Sequence, residues 1–322
     1  MDGVILLADP KSNIWNFAVK IKEYIKNQKS TDVQLKEISI NHFSNGEIDM
    51  HVPENVRRKE VYFIHDSAKN PQEWWVELLV LKDLLLSASA ESVTFILPDL
   101  LYCRKDRKEK PHVPISARAL ANSISSKLKR IITMDLHADQ IQGFYPADCP
   151  MDNLHSFPEV VRYLEKHPIT DSKNLVIVSP DAGGVNRARA FAQKLGIQQP
   201  IAFIYKRREK AGEIAEMRLV GDVKNSEVLI VDDIIDSGGT LCSAAKLLRD
   251  NGATKVHCYG THGIFSKGTS ILCNSFDRVM TSNTHYRENL DLNGVEVIDM
   301  SPVFAEAIYR AQKGQSISEL FE

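Results

Sequence analysis

The sequence predicts an α/β protein of two tandem domains, each a mainly parallel sheet flanked by helices. Three observations carry that expectation. Apolar runs of strand length recur at Val4–Leu7, Val61–Ile64, Val93–Leu97, Ile131–Met134, Val176–Val178, Ile201–Ile204, Val228–Val231 and Val256–Tyr259. Apolar residues at helical spacing lie between many of them, at Glu73–Ser87, Ser116–Leu128, Val185–Leu195 and Thr240–Arg249, the alternation of βαβ units. Several runs stop on an acid, as ILPD at 96–99, TMD at 133–135, VSPD at 178–181 and IVDD at 230–233. Open α/β sheets bind ligands at the carboxyl ends of their strands.

Composition narrows the class. A chain of 322 residues accommodates two domains of ordinary size. Hydrophobic content of 43% with 25% charged residues describes a globular chain, and a net charge of −2 argues against a nucleic-acid partner held by bulk charge. The 5 cysteines never form CxxC, so no zinc site or disulfide framework is indicated and a reducing, cytoplasmic home is expected. The N-terminal MDGVILLADP has an acid where a signal peptide needs positive charge, and no apolar run approaches the ~20 residues that span a bilayer. The division is expected in the loop-rich stretch from Gly143 to Pro158, giving domains at 1–150 and 151–322. Ser301-Pro302 reads as the start of a last helix, serine as N-cap and proline at the first helical position.

In chain order, Phe43-Ser44-Asn45-Gly46-Glu47 reads as a turn leaving the second strand. Arg104-Lys105-Asp106-Arg107-Lys108 follows the strand at 93–97 and serves equally as a solvated face or a polyphosphate site. In Thr133-Met134-Asp135-Leu136-His137-Ala138-Asp139, a buried strand runs into alternating acids and a histidine. That alternation offers imidazole and carboxylate oxygen to one magnesium ion or its water shell. Ser179-Pro180-Asp181-Ala182-Gly183-Gly184 leads into a helix and suits a pyrophosphate, with Asp181 on a bridging metal. Tyr205-Lys206-Arg207-Arg208 opens a polar stretch to Gly221 without clear period, the pattern of a flexible lid. Its cations suit phosphoryl transfer, where charge grows on the transferred group.

The fullest motif is VLIVDDIIDSGGT at 228–240. Asp232 and Asp233 stand side by side where a vicinal diol can donate to both. Ser237, Gly238, Gly239 and Thr240 aim backbone N–H groups and hydroxyls at one point, at the positive end of the next helix. Adjacent carboxylates, with Asp236 close behind, repel unless hydroxyls or a cation compensate. Diol plus phosphate describes a ribose phosphate.

Taken together, FSNGE, DRK-x(5)-PIS, DLHADQIQGF, SPDAGGVNRAR, KRR and VDDIIDSGGT resemble, in order and spacing, the ribose-phosphate pyrophosphokinase family, also called phosphoribosyl pyrophosphate synthetases. The resemblance covers almost the whole chain. It implies two tandem phosphoribosyltransferase-type domains and transfer of the β,γ-pyrophosphate of ATP to the 1-hydroxyl of ribose 5-phosphate, with Mg2+. It further implies ATP contacts at Phe43, Asn45, Gly46, Glu47, Arg104, Lys105 and Asp106, with Phe43 stacking on adenine partly from a neighbouring subunit. Metal contacts fall on His137 and Asp181, with Asp135 a third candidate. The pyrophosphate loop is Asp181 to Gly184. Lys206 and Arg208, with His137, carry catalysis, and Asp232, Asp233, Asp236, Ser237, Gly238, Gly239 and Thr240 hold ribose 5-phosphate. The implied assembly is a homo-oligomer of dimer units, a hexamer.

Departures stand in three places. Lys105 replaces a glutamine, and PDLLYC at 98–103 stands where the pattern has PYFGYA. The regulatory ESVRG reads Glu54-Asn55-Val56-Arg57-Arg58, which predicts weak ADP control, and TNTIP reads Ser282-Asn283-Thr284-His285-Tyr286. Two other classes compete: a catalytically silent subunit that regulates a true synthetase, and a phosphoribosyltransferase. The retained Lys206, Arg208, His137, Asp181 and complete DDIIDSGGT argue against the first, and the tandem domains with DLHADQIQGF against the second.

Overall fold

In the computed structural model the residues described are 3–169, 174–210 and 213–321, without the side chains of 207–210 and 213–215. The chain divides into two compact units: Met1–His155 with Thr284–Arg287 and Met300–Glu322, and Ser156–Asn283 with Glu288–Asp299.

The first unit is built on a parallel sheet of β1 (Val4–Ala8), β2 (Gln34–Glu37), β5 (Glu60–Ile64), β6 (Ser92–Leu97), β7 (Arg130–Met134) and β8 (Met151–Leu154), in the order β2-β1-β5-β6-β7-β8. β1 is buried at every position, which is why it reads as an unbroken apolar run rather than an alternation. Helix α1 (Trp15–Lys29) meets the returning C-terminal helix α8 (Ser301–Lys313), Phe17 and Phe304 touching edge to face at 5.4 Å. α8 starts one residue earlier than the serine-proline signal implies. Met300 is the cap, and Ser301 lies inside the helix without a capping bond. A separate antiparallel hairpin, β3 (Ser39–His42) and β4 (Ile48–His51), carries the turn at 43–47.

Helix α2 (Pro71–Ser87) places an ionisable side chain in the first unit's core. Glu77 is fully buried, 2.6 Å from Lys69 Nζ and 3.3 Å from His65 Nε2. Burial raises its carboxyl from 4.5 to about 7 in spite of Lys69. Burial, and then the Lys69 charge, lower His65 to about 3. The folded chain therefore keeps one proton on Glu77 between about pH 4.5 and 6.5, where the unfolded chain keeps it on the imidazole. Proton counts match, so this pair adds no pH dependence to stability in that window. Glu77 alone favours the folded state fully below pH 4.5 and loses that contribution as pH rises through 7; His65 loses its own as pH falls from 6.5 towards 3. Glu77→Gln removes one arm. Its stability relative to the parent is expected to rise by about 3 kcal/mol between pH 4.5 and 8, at ~1.4 kcal/mol per pKa unit. Urea unfolding at both pH values measures this, and a constant difference would refute it.

The second unit holds β9 (Leu175–Ser179), β10 (Ala202–Lys210), β11 (Glu213–Val220), β12 (Glu227–Ile235), β13 (Lys255–Gly263), β14 (Arg278–Ser282) and β15 (Val295–Ile298), in the order β11-β10-β9-β12-β13-β14-β15. Every neighbouring pair is parallel except β10 with β11. Its core joins Val228 and Ile230 of β12 to Leu241, Ala244, Ala245 and Leu248 of helix α6 (Gly239–Asp250). Each of the valine, isoleucine and leucine side chains among them contributes on the order of 1.5–3 kcal/mol on burial. The stretch after Tyr205, whose polarity reads as an aperiodic lid or a solvated hairpin, forms two paired antiparallel strands. β10 and β11 pair from Phe203↔Val220 to Lys210↔Glu213, with irregularities at Arg207/Arg208 and Arg208/Lys210. Glu216, Arg218 and Val220 alternate with Met217 and Leu219, which pack on the core, a period of two that the polar character of the segment conceals.

Candidate active site

In the second unit, β9 and β12 are parallel neighbours, Val178 opposite Ile230. Each runs past that register into a glycine loop and a helix, so their two loops share one end of the sheet. β12 extends further than its apolar run. Asp232 and Asp233 belong to the strand itself, Asp232 opposite Gly260 of β13, and alternation along β12 half-exposes Asp232 and buries Asp233.

Arg187, in the first turn of helix α5 (Val185–Lys194), reaches across to both acids. Its Nη1 lies 2.9 Å from Asp233 Oδ1 and 3.8 Å from Asp232 Oδ1. Asp233 N also donates to Asp232 Oδ1 at 3.0 Å. Desolvation, followed by the Asp233 charge, pushes the Asp232 carboxyl well above the usual carboxylate range, and Arg187 opposes that rise. Arg187 lies in the SPDAGGVNRAR motif, where the sequence alone assigns it no role. The signal that could have found it was the need for a cation beside two adjacent carboxylates.

Both loops end at helices with no side-chain cap. Gly238 precedes α6 at φ +76°, and a Cβ there would lie 2.9 Å from Leu272 Cγ. Only glycine takes this turn without strain. Asp236, Ser237 and Thr240 are half-buried around it and Gly239 is exposed. With no side chain spent on capping, the first-turn N–H groups of α6 suit an anion. The other loop is built from its own polar groups. Ser179 Oγ donates to Asp181 O at 2.6 Å, and Gly184 N to Asp181 Oδ1 at 3.0 Å. A Cβ on Gly184 would sit 2.7 Å from Ser179 Oγ. Asp181, Ala182 and Gly183 are exposed.

β10 flanks β9 on its other side, paired through Ala202↔Val178 and Phe203↔Ser179. Lys206 follows three residues later, opposite Met217 of β11. Arg208 lies on the same strand, and its side chain is outside those described.

In the first unit, Arg104 and Lys105 are exposed on the irregular segment after β6. Lys105 pairs with Glu109 at 2.6 Å, and Asp106 accepts a hydrogen bond from Gln140 at 2.6 Å. Phe43 is 58% exposed at the tip of the β3–β4 hairpin. Asn45 Nδ2 donates to Glu47 Oε2 at 2.8 Å, and Gly46 closes the turn at φ +89°.

The alternation Asp135-His137-Asp139 does not gather. β7 ends at Met134 and Asp135 turns the chain at φ +42°, so the period-two geometry stops there. Asp135 is buried, 3.4 Å from His155 Nδ1; Asp139 accepts from Asn153; His137 is exposed. Among the described residues no group of three His, Cys, Asp or Glu could hold a metal ion. Magnesium keeps several waters and takes one or two protein ligands beside substrate phosphates. Exposure suits His137 in the first unit, and separately Asp181 in the second, to such use, whereas Asp135 is buried.

Residues 12–127 match a family model described as the N-terminal domain of ribose phosphate pyrophosphokinase, and residues 151–278 one described as the phosphoribosyl transferase domain. The chain is 40% identical over 296 residues to a ribose-phosphate pyrophosphokinase of Cereibacter sphaeroides, covering 90% of this chain and 87% of that protein. It is 40% identical over 294 residues to ribose-phosphate pyrophosphokinase 2 of Schizosaccharomyces pombe, covering 90% of each. The crystal structure of phosphoribosylpyrophosphate synthetase from Mycobacterium smegmatis superposes with a TM-score of 0.82 at 32% identity, over 97% of this chain and 99% of that one.

Proposed function

The chain belongs to the ribose-phosphate pyrophosphokinase family, and from that membership we propose that it transfers the β,γ-pyrophosphate of ATP to the 1-hydroxyl of ribose 5-phosphate, releasing AMP. The observation that carries the reading is the second unit's pair of glycine loops on neighbouring parallel strands, each opening an uncapped helix, with two carboxylates held by Arg187 between them. A sugar phosphate needs both an anion cradle and acceptors for its hydroxyls.

In this reading Asp232 and Asp233 accept from the ribose hydroxyls, and Asp236, Ser237, Gly238, Gly239 and Thr240 wrap the 5-phosphate. Asp181 to Gly184 receive the pyrophosphate. Phe43, Asn45, Gly46, Glu47, Arg104, Lys105 and Asp106 serve ATP, so that the first unit is the nucleotide part and the second unit the sugar-phosphate part. His137 and Asp181 are the proposed contacts of Mg2+, which supplies charge neutralisation on the phosphates when bound. The sugar oxygen attacks the β-phosphorus in line, a new P–O bond forms as the bond to the α-phosphate oxygen breaks, and AMP departs with that oxygen. Lys206 and Arg208 neutralise charge on the group in transfer, so positioning and fixed cations supply most of the rate. The exposed Phe43, and Val76 and Val80 on the outer face of α2, support assembly into a homo-oligomer, which we assign as a hexamer of dimer units. No helix among the described residues is long and apolar enough to cross a membrane.

AMP formation by the purified chain from ATP and Mg2+, with and without ribose 5-phosphate, tests the assignment. Sugar-dependent AMP release is expected. Its absence while ribose 5-phosphate still binds would make the chain a silent regulatory subunit.

A further inference from the structure

Asp99 and His285 are 186 residues apart in the chain, yet Nδ1 of the imidazole lies 2.7 Å from Asp99 Oδ2. Both belong to the first unit. Asp99 is 2% exposed and His285 6%. Buried ionisable groups are costly unless paired, and neither residue is among those assigned above to ATP, metal or sugar phosphate.

Asp99 is held through its backbone as well. Ser67 Oγ donates to Asp99 O at 2.8 Å and accepts from Asp99 N at 3.1 Å. From this anchor the chain runs through buried Leu100, through Tyr102 at φ +64° with its ring 4.7 Å from that of Trp75, and through buried Cys103 to Arg104 and Lys105. No helix or strand intervenes between β6 and helix α3 (Ser116–Ile124). The position of the two cations therefore depends on side-chain anchors, together with a backbone hydrogen bond that Lys105 O accepts from Ala117 N at 3.2 Å, rather than on a backbone ladder.

His285 arrives on Thr284–Arg287, the short segment that joins the first unit between β14 and β15. Its Nε2 is buried without a hydrogen-bond partner, so the polar contact of the ring is the one to Asp99. Asp99 and His285 also stand at two of the departures noted above, where the pattern has tyrosine and isoleucine. Two separate departures meet in one hydrogen bond.

We propose that the Asp99–His285 pair is a positioning latch: it fixes the start of the 98–109 segment and so sets where Arg104 and Lys105 meet the phosphates of ATP. The inference rests on the reading of those two residues as ATP contacts, and the experiment separates the two claims. KM for ATP and for ribose 5-phosphate is measured by AMP release, alongside thermal melting, for His285→Ala, for the double variant Asp99→Leu/His285→Leu and for Arg104→Ala. The double variant leaves no orphaned carboxylate in the core and so keeps the fold testable if His285→Ala does not fold. KM for ATP is expected to rise about tenfold in both latch variants, with KM for ribose 5-phosphate within about twofold. A double variant that folds and keeps the parent KM for ATP, while Arg104→Ala raises it, would overturn the latch alone. A lowered melting temperature with unchanged KM overturns it equally. If Arg104→Ala leaves KM for ATP unchanged, the assignment of the ATP contacts fails and takes the latch with it.

Discussion

Lys206→Ala is expected to lower kcat about a thousandfold while KM for ATP and for ribose 5-phosphate stays within about threefold. β10 pairs with β9 only through Ala202 and Phe203 and then continues as a hairpin with β11 alone. Lys206 therefore stands beyond the edge of the parallel sheet, on a strand adjacent to the one that feeds the 181–184 loop. On the proposed reading, a cation there has little to add when substrates are bound in their ground states, since magnesium would already share their charge. It contributes when the group in transfer gathers charge, and an interaction realised only at that point appears in kcat and kcat/KM together. Steady-state AMP release at saturating substrates reads this directly. An unchanged kcat would remove Lys206 from the chemistry, and a rise in KM alone would recast it as a binding residue.

Much of the fold is legible in the sequence because parallel strands buried on both faces leave long apolar runs, and all eight quoted runs correspond to strands of the sheets. The turn at Phe43–Glu47 is legible, but the extent of the strands β3 and β4 around it and the edge strands β2 and β15 is not, since at least half of each is exposed or half-exposed and little apolar pattern survives. The return of α8 to the first unit was also beyond reach. Nothing in SPVFAEAIYRAQK says which of two sheets its apolar face covers. At the candidate site, the two glycine loops were readable because glycine and hydroxyl residues have few other reasons to cluster after a strand. Arg187 and the Asp99–His285 pair were not, because each is defined by a partner distant in sequence, 46 residues away for Asp233 and 186 for His285. Arg58 shows a different limit: it stands where the family pattern has glycine, and its backbone lies at φ +56°. That left-handed conformation costs a residue other than glycine on the order of 1–2 kcal/mol.

Arg187→Ala is expected to lower kcat/KM for ribose 5-phosphate about a hundredfold and to move the acid limb of its pH profile to higher pH. The direction follows from the acids that Arg187 holds. On the proposed assignment the ribose hydroxyls donate to Asp232 and Asp233, so each carboxyl serves best when ionised, and activity is expected to fall as pH drops through the Asp232 value. That value is already raised by desolvation and by Asp233, and the Arg187 charge is what restrains it. Without the cation it rises further, and protonation begins at a higher pH. The same logic fixes the stability of the free protein. A carboxyl with a folded-state pKa above its unfolded one favours folding at low pH and counts against it as pH rises through that value, so the site is at its least stable where it binds sugar best. Removing Arg187 also strands the buried Asp233, at a cost on the order of 3 kcal/mol, and melting must be recorded beside the kinetics. Arg187→Lys keeps the charge and separates the two effects: the acid limb should return towards that of the parent even if the fork geometry to both acids is lost. An acid limb that stays in place in Arg187→Ala would mean that Asp232 is not the group whose ionisation binding requires.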